Sequence, residues 1–176
     1  MSAAPLIGAV LETWRINNRI HLDLVGAIPP KGFAAVPLGS RGRDVAAQLQ
    51  HTAQVRRGWL HYHETGERPK RPPADRHKRP TRAQLRKLIA DSGREVEEFI
   101  GRALEGRAQV RAFTGNPVRW MGYLISHDAH HRGSIALALK QNGMRLPDKA
   151  ALDGLWGSWM WKRLDPGAQR RGRAAR

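Results

Sequence analysis

"YLISHDAHHRGSIALALKQNG", residues 123–143, sets three histidines within five positions of an otherwise apolar segment. A helix advances about 100° per residue, so with His127 as origin His131 falls near +40° and His130 near −60°. Trp120, Leu124, Ile135, Ala138 and Leu139 fall between about +20° and +120° on the same wheel. His131 therefore shares the core stripe, His127 borders it, and His130 points elsewhere. Asp128, about 100° round from His127, could orient a partner through hydrogen bonds, but a solvated side chain is the expectation. Two imidazoles one turn apart project over the same patch and can share one divalent ion. Two ligands hold an ion weakly, so a third is needed from another element.

The segment "VAAQLQHTAQVRRGWLHYHE", residues 45–64, offers one. With His51 as origin, Val55 lies near +40°, Trp59 near +80° and Tyr62 near +20°, which puts His51 on an apolar face. His61 and His63, near −80° and +120°, are less well placed and close to the helix end. Burying three neutral imidazoles without partners costs a few kcal/mol each, and a shared ion removes that cost.

Working outward, four segments read as helices. The first covers about Pro5 to Val25, with Leu6, Val10, Leu11, Trp14 and Leu24 among its apolar positions. "AIPPKGFAAVPLGSRG" then breaks the chain with proline and glycine. Asp44 is the expected N-cap of the second helix, and Thr81 opens the third. The third carries the ridge Leu85, Leu88, Ile89, Val96, Phe99 and Ile100. The connection "EGRAQVRAFTG" is a candidate for a strand-like turn. Asn116 caps the fourth helix with Pro117 at its first position, and Gly143 stops it. Nothing alternates with the period of two that strands require. The expected fold is all-α, an antiparallel four-helix bundle with a short Trp-rich C-terminal extension, "DKAALDGLWGSWMWKRL", capping one end or edge. We expect one domain over 1–165 and a basic, disordered tail over 166–176.

The chain of 176 residues has 31 Lys+Arg against 15 Asp+Glu, a formal charge of +16, and no cysteine. Disulfides, thiolate metal sites and a cysteine nucleophile are thus excluded, in keeping with a reducing, cytoplasmic location. The start "MSAAPLIGAVLETW" lacks the pattern of a secretory signal, and no apolar run reaches the roughly 18 residues needed to cross a bilayer. No membrane partner is expected. The charge surplus would attract polyanions, but much of it sits in "GERPKRPPADRHKRPTR" and the tail "QRRGRAAR", where charge runs are ordinarily solvated. Nucleic acid is therefore not the favoured partner.

"LQHTAQVRRGWL" (residues 49–60) and the HxxxHRG of "YLISHDAHHRGSIALALKQNG" together resemble the DinB superfamily, the DinB/YfiT-like four-helix bundles, over roughly residues 5–145. The resemblance implies a divalent ion (nickel, zinc or iron) on three histidines, carried by position onto His51, His127 and His131, with coordination positions left open. His130 takes the variable position before the last ligand. Arg132, part of the motif, would either salt-bridge a neighbouring helix or receive an anionic group at the pocket mouth. The resemblance also implies a metal-dependent enzyme acting on a small molecule, a thiol-dependent transferase or a hydrolase with a low-molecular-weight thiol as possible cosubstrate, and a homodimer. Trp59 and Trp120 fall near the expected ligands on their helices, so Trp59, Tyr62, Trp120 and Arg132 are candidate pocket-lining residues. No general base, Ser/His/Asp set or phosphate-binding glycine loop is visible, so no catalytic residue is assigned. The alternative, from a different class, is a non-catalytic basic bundle binding nucleic acid or another acidic partner in a stress response. Trp156, Trp159 and Trp161 are expected to pack outside the bundle or at a dimer contact.

Overall fold

The computed structural model describes residues 4–69 and 79–161. The middle of the proline- and arginine-rich segment and the basic tail of 166–176 lie outside the described residues. Four long helices carry the fold: α1 (Ala4–Ala27), α2 (Val45–Thr65), α3 (Arg82–Leu104) and α4 (Pro117–Gln141). Among the described residues there is no strand, and the expected strand-like turn before α4 is instead a short 3₁₀ turn, Phe113–Gly115.

The helix starts follow from local chemistry. Asp44 Oδ1 accepts from the Ala47 amide at 2.8 Å, satisfying one of the donors a helix start leaves over. Thr81 and Gln84 form a reciprocal capping box on α3. Asn116 Oδ1 accepts from both Val118 and Arg119 amides, ahead of Pro117 at the first helical position. At the far end of α4, Gly143 turns with φ +72° while the Met144 amide returns to the Leu139 carbonyl at 2.8 Å. That left-handed turn is cheap for glycine and ends the helix where the sequence places the stop.

The core divides in two along the bundle. One cluster gathers Leu24 of α1's C-terminal end with Ile28 just beyond it, Val45 and Leu49 of α2's start, Leu85 and Ile89 of α3's start, and Ile135 and Leu139 late in α4. The other gathers Trp14, Leu60, Val96, Phe99, Ile100, Trp120 and Leu124, from the opposite halves of the same helices. So α1 and α4 run one way, and α2 and α3 the other. The expected antiparallel bundle is refined accordingly: α2 and α3, consecutive in the chain, are parallel.

The third helix meets α1 closely. Trp14 is fully buried and donates from Nε1 to the Gly93 carbonyl at 2.7 Å. A Cβ at Gly93 would stand 2.2 Å from the Asn18 side-chain amide, so only glycine lets the two helices approach this far. Lys149–Trp161 forms a wide π-helix whose Trp159 Nε1 donates to Asp23 of α1, with Arg19 of α1 lying 5.3 Å over the Trp159 ring. The C-terminal stretch thus lies along α1, with Trp156 and Trp161 outward and more than half exposed.

Gly93→Ala is expected to lower unfolding free energy by about 1–3 kcal/mol, the usual cost of forcing a methyl into a filled contact. Urea denaturation followed by circular dichroism measures it.

A three-histidine cluster over a buried ion pair

His51 stands in the second turn of α2, and His127 and His131 stand one turn apart at the middle of α4. The two helices bring the three rings together. Ring centroids lie 5.2 Å apart for His51 and His127, 5.1 Å for His51 and His131, and 4.6 Å for His127 and His131. One nitrogen from each ring lies within 4.8 Å of the other two. Such a grouping could hold one metal ion. His127 and His51 are half-buried, and His131 is buried, so the cluster faces outward on one side and inward on the other. His130 is exposed, as the wheel predicts.

Electrostatics keep the cluster neutral at its inner edge. Burial, helped by the neighbouring His127 and His51, pushes the His131 imidazole down to about 4. An uncharged imidazole is the form that donates a lone pair. Buried Gln48, one turn ahead of His51 on α2, places Oε1 3.2 Å from His131 Nδ1. That contact is a hydrogen bond when Nδ1 carries the proton, which leaves Nε2 with its lone pair.

Beneath the histidines lies a polar network that the sequence did not announce. Asp128 is fully buried, against the expectation of a solvated side chain. Its Oδ2 accepts from Arg56 at 2.6 Å and from Asn17 Nδ2 at 2.7 Å. Burial by itself raises the Asp128 pKa, but the Arg56 guanidinium together with the neighbouring His127 and His21 outweighs it and holds the carboxyl well below the usual carboxylate range. Arg56 is equally buried and donates to Asn18 Oδ1 at 2.8 Å and to the Ile89 carbonyl at 3.2 Å. Its guanidinium also sits 5.0 Å over the Trp14 ring. Arg132 donates to Asn17 Oδ1 at 2.8 Å, so it binds the neighbouring helix through an amide rather than through a salt bridge. His21, fully buried 3.9 Å from Asp128 Oδ2, is driven by desolvation to about 3 in spite of the nearby carboxylate.

The expected pocket-lining residues separate. Trp120 is wholly buried, its ring 4.6 Å from His63 and 5.5 Å from Phe99, and so belongs to the bundle core. Trp59 meets Phe113 at 4.8 Å and Tyr123 at 5.9 Å, and Tyr62 meets Trp59 at 5.9 Å. Tyr123, absent from the sequence reading, is the ring beside His127, at 6.1 Å. His63, set aside as a helix-end residue, is buried between Trp59 and Phe99, and burial lowers it to about 4. Two surface depressions, lined by Gly106–Val110 with Gly115 and by Ala136–Leu155 residues, lie away from the histidines.

The DinB family model matches residues 1–164. The chain belongs to the DinB family. No curated protein matches the chain. The three clustered histidines lie within the matched residues.

Two outcomes follow from the buried groups. Asp128→Ala leaves the Arg56 charge buried and unpaired, and is expected to cost about 3–5 kcal/mol of stability in chemical denaturation. Acid should also weaken the metal-free fold. His21 and His63 are held neutral in the native state to about 3 and about 4, whereas the unfolded chain protonates them near the ordinary value of 6.5. Below 6.5 the unfolded state therefore binds more protons, and stability present above that pH is lost progressively toward pH 3–4. Denaturation midpoints measured from pH 7.5 down to 4.5 check the sign.

Proposed function

We propose that this DinB-family chain binds one divalent ion through His51, His127 and His131 and acts as a metal-dependent enzyme on a small molecule, most directly in transfer of a thiol. The observation that carries the reading is the approach of three imidazole nitrogens to within 4.8 Å from two different helices. The donor set fits a metal: it is nitrogen only, it is neutral at its buried edge, and Gln48 directs one ring toward the cluster. Three protein ligands with one side half-exposed match a site that keeps a position open, whereas structural sites are closed by four.

An ion held by three uncharged ligands keeps its full charge, so when bound it supplies Lewis acidity toward a thiol, a carbonyl or a water molecule. The chain's own residues do the rest. Asp128 cannot offset the ion's charge freely, because its carboxylate is already committed to Arg56 and Asn17. Tyr123, with Phe113 and Trp59 behind it, offers an aromatic wall beside His127 for an apolar part of the substrate. We further read 1–165 as a single DinB/YfiT-like domain and 166–176 as a basic tail. The charge surplus does not favour the nucleic-acid reading: Arg15, Arg57, Arg79, Arg94 and Arg102 are all engaged by carboxylates.

Elemental analysis after reconstitution with nickel, zinc or iron tests the site. About one ion per chain is expected in the wild type and in His130→Ala, with stoichiometric binding lost in His51→Ala, His127→Ala and His131→Ala. An unloaded wild type would defeat the metal reading. Cobalt-loaded protein titrated with glutathione tests the thiol assignment: a new near-ultraviolet thiolate-to-cobalt band is expected, and its absence at saturating thiol would favour hydrolysis.

A further inference from the structure

The two histidines on α4 have different surroundings at Nδ1 but the same kind of neighbour. His131 Nδ1 faces Gln48 Oε1 at 3.2 Å, and both side chains are buried. His127 Nδ1 faces Asp128 Oδ1 at 3.9 Å. Neither of those last two atoms has a hydrogen-bond partner, and both are sealed from solvent. Successive residues on a helix do not ordinarily face one another. Here Asp128 is turned and held by its other oxygen, which accepts from Arg56 and Asn17. The free oxygen is thereby left beside the His127 ring. A buried carboxylate oxygen without a donor and a buried ring nitrogen without an acceptor are each costly, and a small ring rotation satisfies both.

We infer that Gln48 and Asp128 are positioning residues for the metal site: each accepts a hydrogen bond from the Nδ1–H of one α4 histidine, so that both rings present Nε2 to the ion. The inference rests on the metal reading above and adds what fixes ring orientation and tautomer. A histidine has two nitrogens, and which one binds is set by the hydrogen bond the other makes. Asp128 also bonds to Arg56 of α2 and Asn17 of α1, and Arg56 reaches α3 through the Ile89 carbonyl. Ligand orientation is therefore tied to the packing of all four helices. Gln48 makes the same link more locally, because it stands on the helix that bears His51.

Long-range proton–nitrogen correlation spectra of uniformly labelled, metal-free wild-type protein report the tautomer of each ring directly. The expected result is protonated Nδ1 and unprotonated Nε2 at His127 and His131, with those signals moved by one equivalent of zinc. Protonation at Nε2 in either ring would overturn the assignment for that residue. Gln48→Leu is expected to weaken zinc binding in chelator competition by about 10–100-fold, with Gln48→Glu recovering most of the loss because it restores an acceptor. Asp128→Asn is the matching variant at His127; should it fail to fold, the wild-type spectrum and the Gln48 pair still decide the matter. Equal zinc affinity in wild type and Gln48→Leu, with only the melting temperature changed, would make Gln48 merely structural. A wild type that keeps both tautomers yet binds no zinc would defeat the metal reading itself, and the positioning role would fall with it.

Discussion

The ion pair between Arg56 and Asp128, 2.6 Å apart with both side chains wholly buried, is the constraint on which the rest of this bundle depends. Removing two charges from water costs several kcal/mol for each ion, and attraction repays it only when every remaining donor and acceptor is used. The structure goes far toward that condition. Asn17, Asn18, the Ile89 carbonyl and Ser92 complete the guanidinium and the carboxylate, and Trp14 covers the guanidinium face. These partners come from the two other helices, α1 and α3, so the pair can form only when the four helices are in register. An apolar replacement of equal volume would pack as well but would not choose among registers. We take that specification to be the reason a bundle with two sound hydrophobic clusters keeps a charged centre.

The same pair connects architecture to chemistry. Asp128 lies next to His127 in the chain, and Arg56 lies five residues beyond His51 on the same helix. The helices that contribute the three imidazoles are thus the ones locked by the ion pair, directly beneath the cluster. A rigid base under a half-exposed face is what an ion site with an open position requires.

Much of this was legible in the sequence, and the exceptions have physical causes. Asp44, Thr81 and Asn116–Pro117 mark helix starts because side-chain capping is local chemistry, and all three cap as expected. His51, His127 and His131 stood out because a polar side chain on an apolar face demands a partner. Asp128 was misread although its angle of about +100° from His127 lies inside the apolar arc. Its charge argued for water, and its partner, Arg56, lies 72 residues away, where no local pattern shows it. Arg56 itself sits in the stripe Leu49, Thr52, Arg56, Leu60 and His63, and Asn17 and His21 sit in the stripe Trp14, Asn17, His21 and Leu24. The spacing was visible; that the polar members of the two stripes answer one another was not. The parallel course of α2 and α3 also escaped, since a connection of that length fits either direction.

The central claim is that three imidazoles from two helices share one ion. X-ray absorption fine structure on protein loaded with one equivalent of zinc addresses it most directly. The account predicts a first shell near 2.0–2.1 Å containing three imidazoles, seen through their outer-ring scattering, with lighter oxygen or nitrogen atoms completing it. A shell of oxygen ligands with fewer than two imidazoles would place the ion elsewhere and contradict the account.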